Sequence, residues 1–108
     1  MRQRHEYEAV FAHNRVVSGR LYVVRFKPNG LSFARLGIIA ARKALPRAVD
    51  RNRGKRVVRE VFRQAAPRLD SWDIVVQLRP GIKQSDNAAL RQELHELLLR
   101  ARSNKATN

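Results

Sequence analysis

The stretch RAVDRNRGKRVVREVFR, residues 47–63, carries seven cationic side chains among its seventeen positions. Successive residues of a helix turn by about 100°, and at that angle several cationic and amide side chains fall on one flank, within an arc of roughly 100°. This flank holds Asn52, Lys55, Arg56, Arg59 and Arg63. A guanidinium group donates two parallel hydrogen bonds to phosphate oxygens, and free N–H groups at a helix N-terminus favour anions as well. The pattern predicts a phosphate-binding surface.

A merely solvated helix is the alternative. Like charges four residues apart, such as Lys55 and Arg59, each destabilise an isolated helix by roughly a few tenths of a kcal/mol, and Gly54 costs about 1 kcal/mol. A flank selected only for solubility would interleave acidic residues, but this segment has only Asp50 and Glu60. Because the sequence keeps this repulsion, a phosphate-binding surface is favoured over a merely solvated helix. Charge alone does not distinguish DNA from RNA.

Groups for protein-based catalysis do not form a recognisable pattern. A nuclease site needs general acid–base groups or clustered carboxylates that hold metal ions. The histidines His5, His13 and His95 lie in separate segments without metal-ligand spacing. Asp70 and Asp73 flank a predicted strand start, where Asp is expected as turn chemistry. We therefore predict no catalytic residue and no metal site in the protein itself.

The composition indicates a polyanionic partner. The chain has 108 residues, a formal net charge of +14 and a pI of about 11.7, with 44% hydrophobic residues. These values fit one domain over residues 1–108 with a frayed tail from about 103, bound to nucleic acid or, as a second choice, to an anionic membrane surface. The lack of cysteine excludes disulfides and suits a reducing compartment. Since neither a membrane span nor a secretory signal is evident, we expect a cytoplasmic nucleic-acid-binding protein.

Helices and strands alternate around the basic segment. A first helix is predicted over Glu6–His13 from its apolar spacing. Strands are predicted over residues 20–26 and about 34–42, and the Pro-Asn-Gly turn between them suggests an antiparallel pair. A further short strand is expected near residues 15–18.

The basic segment follows Pro46, which is tolerated in the first turn of a helix, so a helix is predicted from there to about Ala66. A strand over about 73–78 and a helix over about 87–102 complete the order. The last helix has one apolar stripe: Leu90, Leu94, Leu97, Leu98 and Ala101. The order α-β-β-α-β-α predicts an α+β sandwich, one small sheet covered on one face.

Residues 36–63 contain a longer ordered pattern. It runs from a strand with Gly37 through the basic pair Arg42-Lys43 to the series R-N-R-x-K-R-x-x-R-x-x-F, which ends at Phe62. This pattern closely resembles the signature of the protein subunit of bacterial ribonuclease P. The resemblance continues into YEAVF, DIVVQLRPG and the last helix, nearly the whole chain. It departs at Leu45-Pro46-Arg47, where many members have Gly-Asn, and in a short N-terminus without most of the basic lead-in.

The resemblance implies a small two-layer α/β sandwich with a mostly antiparallel sheet. It also implies an unusual left-handed β-α-β crossover, in which the crossover helix is the basic segment. The protein is expected to bind a large catalytic RNA, and the two together would remove the 5′ leader of precursor tRNA. The RNA would carry the hydrolysis and would hold most of the Mg²⁺. The protein is expected to be monomeric in the complex.

The resemblance also assigns residues to two surfaces. Contacts to the catalytic RNA are expected from Arg42, Lys43, Arg47, Arg51, Asn52, Arg53, Lys55, Arg56, Arg59 and Arg63. A cleft for the leader is expected to hold the first-helix aromatics Tyr7 and Phe11, with Tyr22 and Val24 as strand candidates. Taken alone, Tyr7 and Phe11 fit either base stacking or core packing. The rival functions are a structural RNA-binding protein of ribosomal type, an autonomous nuclease and a helix-turn-helix DNA binder.

Overall fold

The computed structural model describes residues 4, 7, 8 and 10, then 15–68 and 71–107, with the backbone alone for 68 and 102–107. The strands are β1 (Val16–Ser18), β2 (Tyr22–Pro28), β3 (Arg35–Ile39) and β4 (Trp72–Leu78), and the helices are α1 (Ala48–Ala65) and α2 (Asn87–Thr107). Short 3₁₀ turns occupy Ala66–Arg68 and Pro80–Gln84. These bounds confirm the predicted strands and the two long helices, although α2 extends beyond the predicted Arg102.

The predicted first helix is described only in part. Arg4, Tyr7, Glu8 and Val10 are helical. The ends of the predicted range, Glu6 and His13, lie outside the described residues, as does Phe11.

The four strands form one mixed sheet in the order β1-β2-β4-β3. β2 pairs antiparallel with β1 and with β4, whereas β3 pairs parallel with β4. The predicted antiparallel pairing of the second and third strands is therefore wrong. The physical reason is β4, in which six of seven residues are buried. A strand buried on both faces belongs in the middle of a sheet, and β4 separates β2 from β3.

One face of this sheet packs against both helices. Tyr22, Val24 and Phe26 of β2 alternate towards the main core, and the Phe26 ring meets the Trp72 ring edge-on at a centroid distance of 5.2 Å. Helix α1 contributes Val57, Val58 and Val61, and Phe62 and Ala65 pack at the margin. The leucine stripe of α2 and Ala101 are buried, as predicted. Each fully buried aliphatic side chain contributes about 1.5–3 kcal/mol.

Two close approaches fix how the helices sit on the sheet. A Cβ on Gly54 would lie 2.8 Å from Cδ1 of Leu78, so this glycine lets α1 approach β4 closely despite its low helix propensity. From α2, the Glu93 carboxylate accepts hydrogen bonds from the backbone N–H groups of Arg20, Leu21 and Tyr22 at 3.1, 2.7 and 3.1 Å. The chain before β2 is thereby held to α2.

The observed architecture confirms the predicted α+β class. Two of the three strand pairings are antiparallel, and α1 forms the connection between the parallel neighbours β3 and β4. The left hand of that crossover stays a prediction from the family resemblance.

Candidate nucleic-acid interface

The outer flank of α1 brings together the residues of the predicted phosphate-binding surface. Asn52, Lys55, Arg56, Arg59 and Arg63 line one open depression of about 580 Å³ together with Glu60. We call these five residues the cationic stripe. They lie opposite the valines that seat α1 on the sheet, because residues three and four apart share one face of a helix. The apolar contacts on one side thus hold the cations out on the other.

The cations of the stripe are not neutralised by ion pairs with other described residues. Within the described residues, no hydrogen bond or ion pair engages the side chains of Lys55, Arg56, Arg59 or Arg63. The one carboxylate at the depression, that of Glu60, accepts a hydrogen bond from Nε of Arg91 on α2 at 2.9 Å. A row of cations left unpaired in this way is suited to an external polyanion, which would release counterions on binding.

The two arginines of the R-N-R series do not belong to the cationic stripe and donate hydrogen bonds to other parts of the protein. Arg51 donates from Nη1 to the carbonyl oxygens of Leu45 and Pro46 at 2.9 and 2.8 Å. The guanidinium of Arg53 donates to the carbonyl oxygens of Ile82 and Ser85 at 2.7 and 2.8 Å, and to Oδ1 of Asn87 at 3.0 Å. Both are half-buried. Their expected direct contact with RNA stays a prediction, and the hydrogen bonds to loop carbonyls give both arginines a structural role as well.

The remaining predicted cations surround the start of α1. Arg42 and Lys43 are exposed in the turn after β3, and Arg47 is the exposed N-cap residue. No side chain caps this helix end, so N–H groups of its first turn face the same region as these cations. The cationic surface therefore continues from the stripe around the beginning of α1.

A second surface lies on the opposite face of the sheet. Leu36 and Ile38 pack against the main core, so Gly37 between them faces away from both long helices. A Cβ on Gly37 would lie 2.6 Å from Cε1 and 2.8 Å from the hydroxyl oxygen of Tyr7. The Tyr7 ring thus rests directly on the glycine, and any larger residue there would displace it. Tyr7 therefore lies on the sheet face that is turned away from the two long helices.

Tyr22 and Val24 do not line this second surface. Both have 0% of their surface exposed and belong to the main core, so their expected place in an accessible cleft is wrong. Burial raises the pKa of the Tyr22 phenol well above its ordinary value; the charge of Glu93 adds to this and that of Arg53 opposes it. The phenol therefore stays neutral, and its hydroxyl is buried without a hydrogen-bond partner in the described part of the chain.

The alternation of β2 places other residues on the same face of the sheet as Tyr7, with β4 between β2 and the strand that Tyr7 contacts. Val23, Arg25 and Lys27 are half-buried on the face away from the helices. Arg25 donates from Nη1 to Oε1 of Gln77 on β4 at 2.7 Å. Sequence reasoning missed these residues, although charged residues at every second position of an apolar strand indicate its outward face. We refer to the face that carries Tyr7, Gly37, Arg25 and Lys27 as the second face.

The part of the chain that the structure describes contains no group of three or more His, Cys, Asp or Glu side chains placed to hold a metal ion. His95 is exposed on α2, while Asp73 belongs to an ion pair with Arg35. None of the helices described is long and apolar enough to cross a membrane.

A family model described as Ribonuclease P matches residues 1–102. The chain belongs to the ribonuclease P protein family. It is 41% identical over 102 residues to the ribonuclease P protein component of Aromatoleum aromaticum, covering 94% of this chain and 86% of the relative. It is 45% identical over 91 residues to that of Chromohalobacter salexigens, covering 83% and 71%.

Solved ribonuclease P proteins share the fold. The Staphylococcus aureus protein superposes with a TM-score of 0.86 at 27% identity, covering 94% of this chain and 93% of that one. The Thermotoga maritima protein gives a TM-score of 0.79 at 33% identity, covering 93% and 94%. This ribonuclease P protein is thus the protein component of a tRNA-processing endoribonuclease, and its partner is the ribonuclease P RNA.

Proposed function

We propose that the cationic stripe binds the phosphates of the catalytic RNA and that the second face binds the 5′ leader of precursor tRNA. The observation that carries the first part is the row of stripe cations without internal partners. The cations at the start of α1, Arg42, Lys43 and Arg47, extend the same contact. Because the two surfaces lie on opposite sides of the sheet, one small protein can contact two RNA segments at once.

The second part rests on the contact between Tyr7 and Gly37. An aromatic ring on the same sheet face as Arg25 and Lys27 combines a stacking surface with cations for the backbone, which is the combination that binds single-stranded RNA. Phe11, outside the described residues, remains a proposed member of this cleft.

Hydrolysis itself is proposed to belong to the RNA. The described residues offer no fitting set of metal ligands, so the Mg²⁺ of the holoenzyme would be held chiefly by RNA. The positive charge of the protein would then lower the Mg²⁺ requirement by screening phosphate repulsion. We further propose that the protein acts as a monomeric single domain in the cytoplasm, where bacterial precursor tRNA is made.

Reconstitution tests the role in cleavage. The catalytic RNA should cut precursor tRNA at a lower Mg²⁺ concentration when this protein is added, whereas protein without RNA should not cut. If the protein binds RNA tightly but leaves the Mg²⁺ requirement unchanged, a structural RNA-binding role of ribosomal type is the better description.

The stripe is tested by the salt dependence of RNA binding. Lys55→Ala should reduce the slope of log affinity against log salt by somewhat under one, because about one phosphate contact is lost. Lys83→Ala is the matched control, since Lys83 is an exposed lysine on the 3₁₀ turn away from the stripe. Equal slopes for both variants would contradict direct contact by Lys55.

The cleft is tested by comparing two RNA ligands. Tyr7→Ala should weaken the binding of the holoenzyme to precursor tRNA while leaving its binding to mature tRNA, which lacks the leader, unchanged. Equal weakening of both would show that Tyr7 only supports the fold.

A further inference from the structure

The loop between β2 and β3 has a fixed shape. The Asn29 side chain accepts a hydrogen bond from the N–H of Leu31 at 2.8 Å and donates to the carbonyl oxygen of Phe33 at 3.1 Å. Gly30 has a φ of +71°, a conformation that glycine adopts without strain. The conformation of the loop is therefore held by the hydrogen bonds of one asparagine side chain.

The same loop is tied to the start of β4. Asn29 also donates to Oδ1 of Asp73 at 3.0 Å, and Ser71 donates from Oγ to the carbonyl oxygen of Leu31 at 2.6 Å. Asp73, only 4% exposed, accepts two hydrogen bonds from the Arg35 guanidinium at 2.8 and 2.7 Å. Burial raises the pKa of Asp73, but the hydrogen bonds from Arg35 and Asn29 and the nearby cations outweigh it and hold that pKa below its ordinary value. The loop is therefore attached to β4 through an ionised and buried carboxylate, that of Asp73.

This anchored loop displays an aromatic ring to solvent. Phe33 is 55% exposed, and it is the one exposed aromatic side chain among the described residues. The neighbouring Ala34 packs against the main core, so Phe33 is turned away from it. A ring held on a rigid loop binds a flat partner without a large loss of conformational entropy.

The position of Phe33 relates it to the second face. β3 runs directly from this loop to Gly37 under Tyr7, roughly 13 Å of extended chain. β2 enters the loop from its other side with Arg25 and Lys27 on the second face. A single strand of RNA that lies over Gly37 and follows these cations towards the loop would reach Phe33 within a few nucleotides.

We propose that Phe33 stacks on an unpaired base of the precursor tRNA leader, upstream of the bases held at Tyr7, and so extends the leader site to the end of the sheet. This inference rests on the proposed leader function of the second face. Stacking fits the site because every base has a π face, and a lone ring without specific hydrogen-bonding groups is tolerant of sequence.

A series of precursor tRNAs with progressively longer leaders tests the proposal in the holoenzyme. Once the leader is long enough to reach the loop, Phe33→Ala should weaken binding by roughly five-fold to 150-fold, the range expected for one lost stack. For shorter leaders and for mature tRNA, Phe33→Ala should bind like the unmodified protein. Phe33→Trp should retain or strengthen the binding of long leaders, whereas Phe33→Leu, which keeps an apolar side chain without a ring, should behave like Phe33→Ala.

The controls separate this proposal from the wider one. Val49→Ala removes another exposed apolar side chain, 58% exposed at the start of α1, and should leave the leader-length dependence unchanged. If Tyr7→Ala weakens precursor tRNA selectively but Phe33→Ala has no effect at any leader length, only the Phe33 proposal fails. If Phe33→Ala weakens binding of the catalytic RNA alone, the stacked base belongs to that RNA and the proposal is overturned. If neither variant distinguishes precursor from mature tRNA, the leader function of the second face fails as well.

Discussion

Arg53→Ala tests whether Arg53 stabilises the fold through its hydrogen bonds, in contrast to the arginines of the stripe, which are left to bind RNA. The substitution removes three hydrogen bonds, to the carbonyl oxygens of Ile82 and Ser85 and to the Asn87 side chain. A hydrogen bond to a charged group contributes about 1.5–3 kcal/mol, but these three share one half-exposed guanidinium and do not add fully. We expect the free energy of unfolding to fall by about 2–4 kcal/mol. At about 4–8 °C per kcal/mol for a domain of this size, Tm should fall by roughly 8–32 °C.

Urea unfolding of the RNA-free protein measures this loss, and Arg56→Ala is the matched control. Arg56 is exposed on the stripe, so its removal should change stability by less than about 0.5 kcal/mol while lowering the salt slope of RNA binding by somewhat under one. Under conditions in which the Arg53→Ala variant is folded, its RNA binding should keep the salt slope of the unmodified protein. Arg53→Lys should also lose stability, because an ammonium cannot reproduce the planar fork. If Arg53→Ala unfolds like the unmodified protein and lowers the salt slope, the stabilising role of Arg53 is refuted.

Two further predictions concern the anchors of the fold. Glu93→Gln should destabilise the protein by about 1–3 kcal/mol in urea unfolding, since the carboxylate that accepts three backbone N–H groups is lost, whereas the same change at the exposed Glu96 should have little effect. The lowered pKa of Asp73 means that its ionised form stabilises the folded state above about pH 4, and this contribution is lost as pH falls through the lowered pKa. Asp73→Asn should therefore flatten the acid side of a plot of unfolding free energy against pH; an unchanged acid side would contradict the role of the ion pair with Arg35.

The two faces of α1 were predictable because they depend on local spacing. Val57, Val58 and Val61 recur at helical intervals, and a wheel separates them from the stripe without knowledge of the rest of the chain. The same wheel places Arg51 between Val58 and Phe62, and Arg53 beside Val57, so neither belongs to the stripe. What the wheel does not predict is the set of loop carbonyls that engages these two arginines, because a helical projection contains only the residues of the helix.

The strand order was harder to predict because β4 pairs with two strands that lie far from it in sequence. The Pro-Asn-Gly turn suggested a local hairpin, whereas β4 inserts between the two strands it connects. Its consecutive apolar residues, Ile74, Val75 and Val76, indicated a strand buried on both faces. Likewise, Arg25 and Lys27 already marked the outward face of β2, which would have excluded Tyr22 and Val24 from the cleft.

The central place of β4 also sets the order in which the chain can fold. Arg35 meets Asp73 thirty-eight residues later, and Arg25 meets Gln77 fifty-two residues later. Contacts of such long range slow folding, because loop-closure entropy is lost before they form. On the ribosome, β2 and β3 have no common partner until β4 emerges, and the strongly cationic α1 is made before the sheet that it packs against is complete. The protein therefore cannot complete its native sheet before β4, Trp72–Leu78, has been synthesised and released from the ribosome.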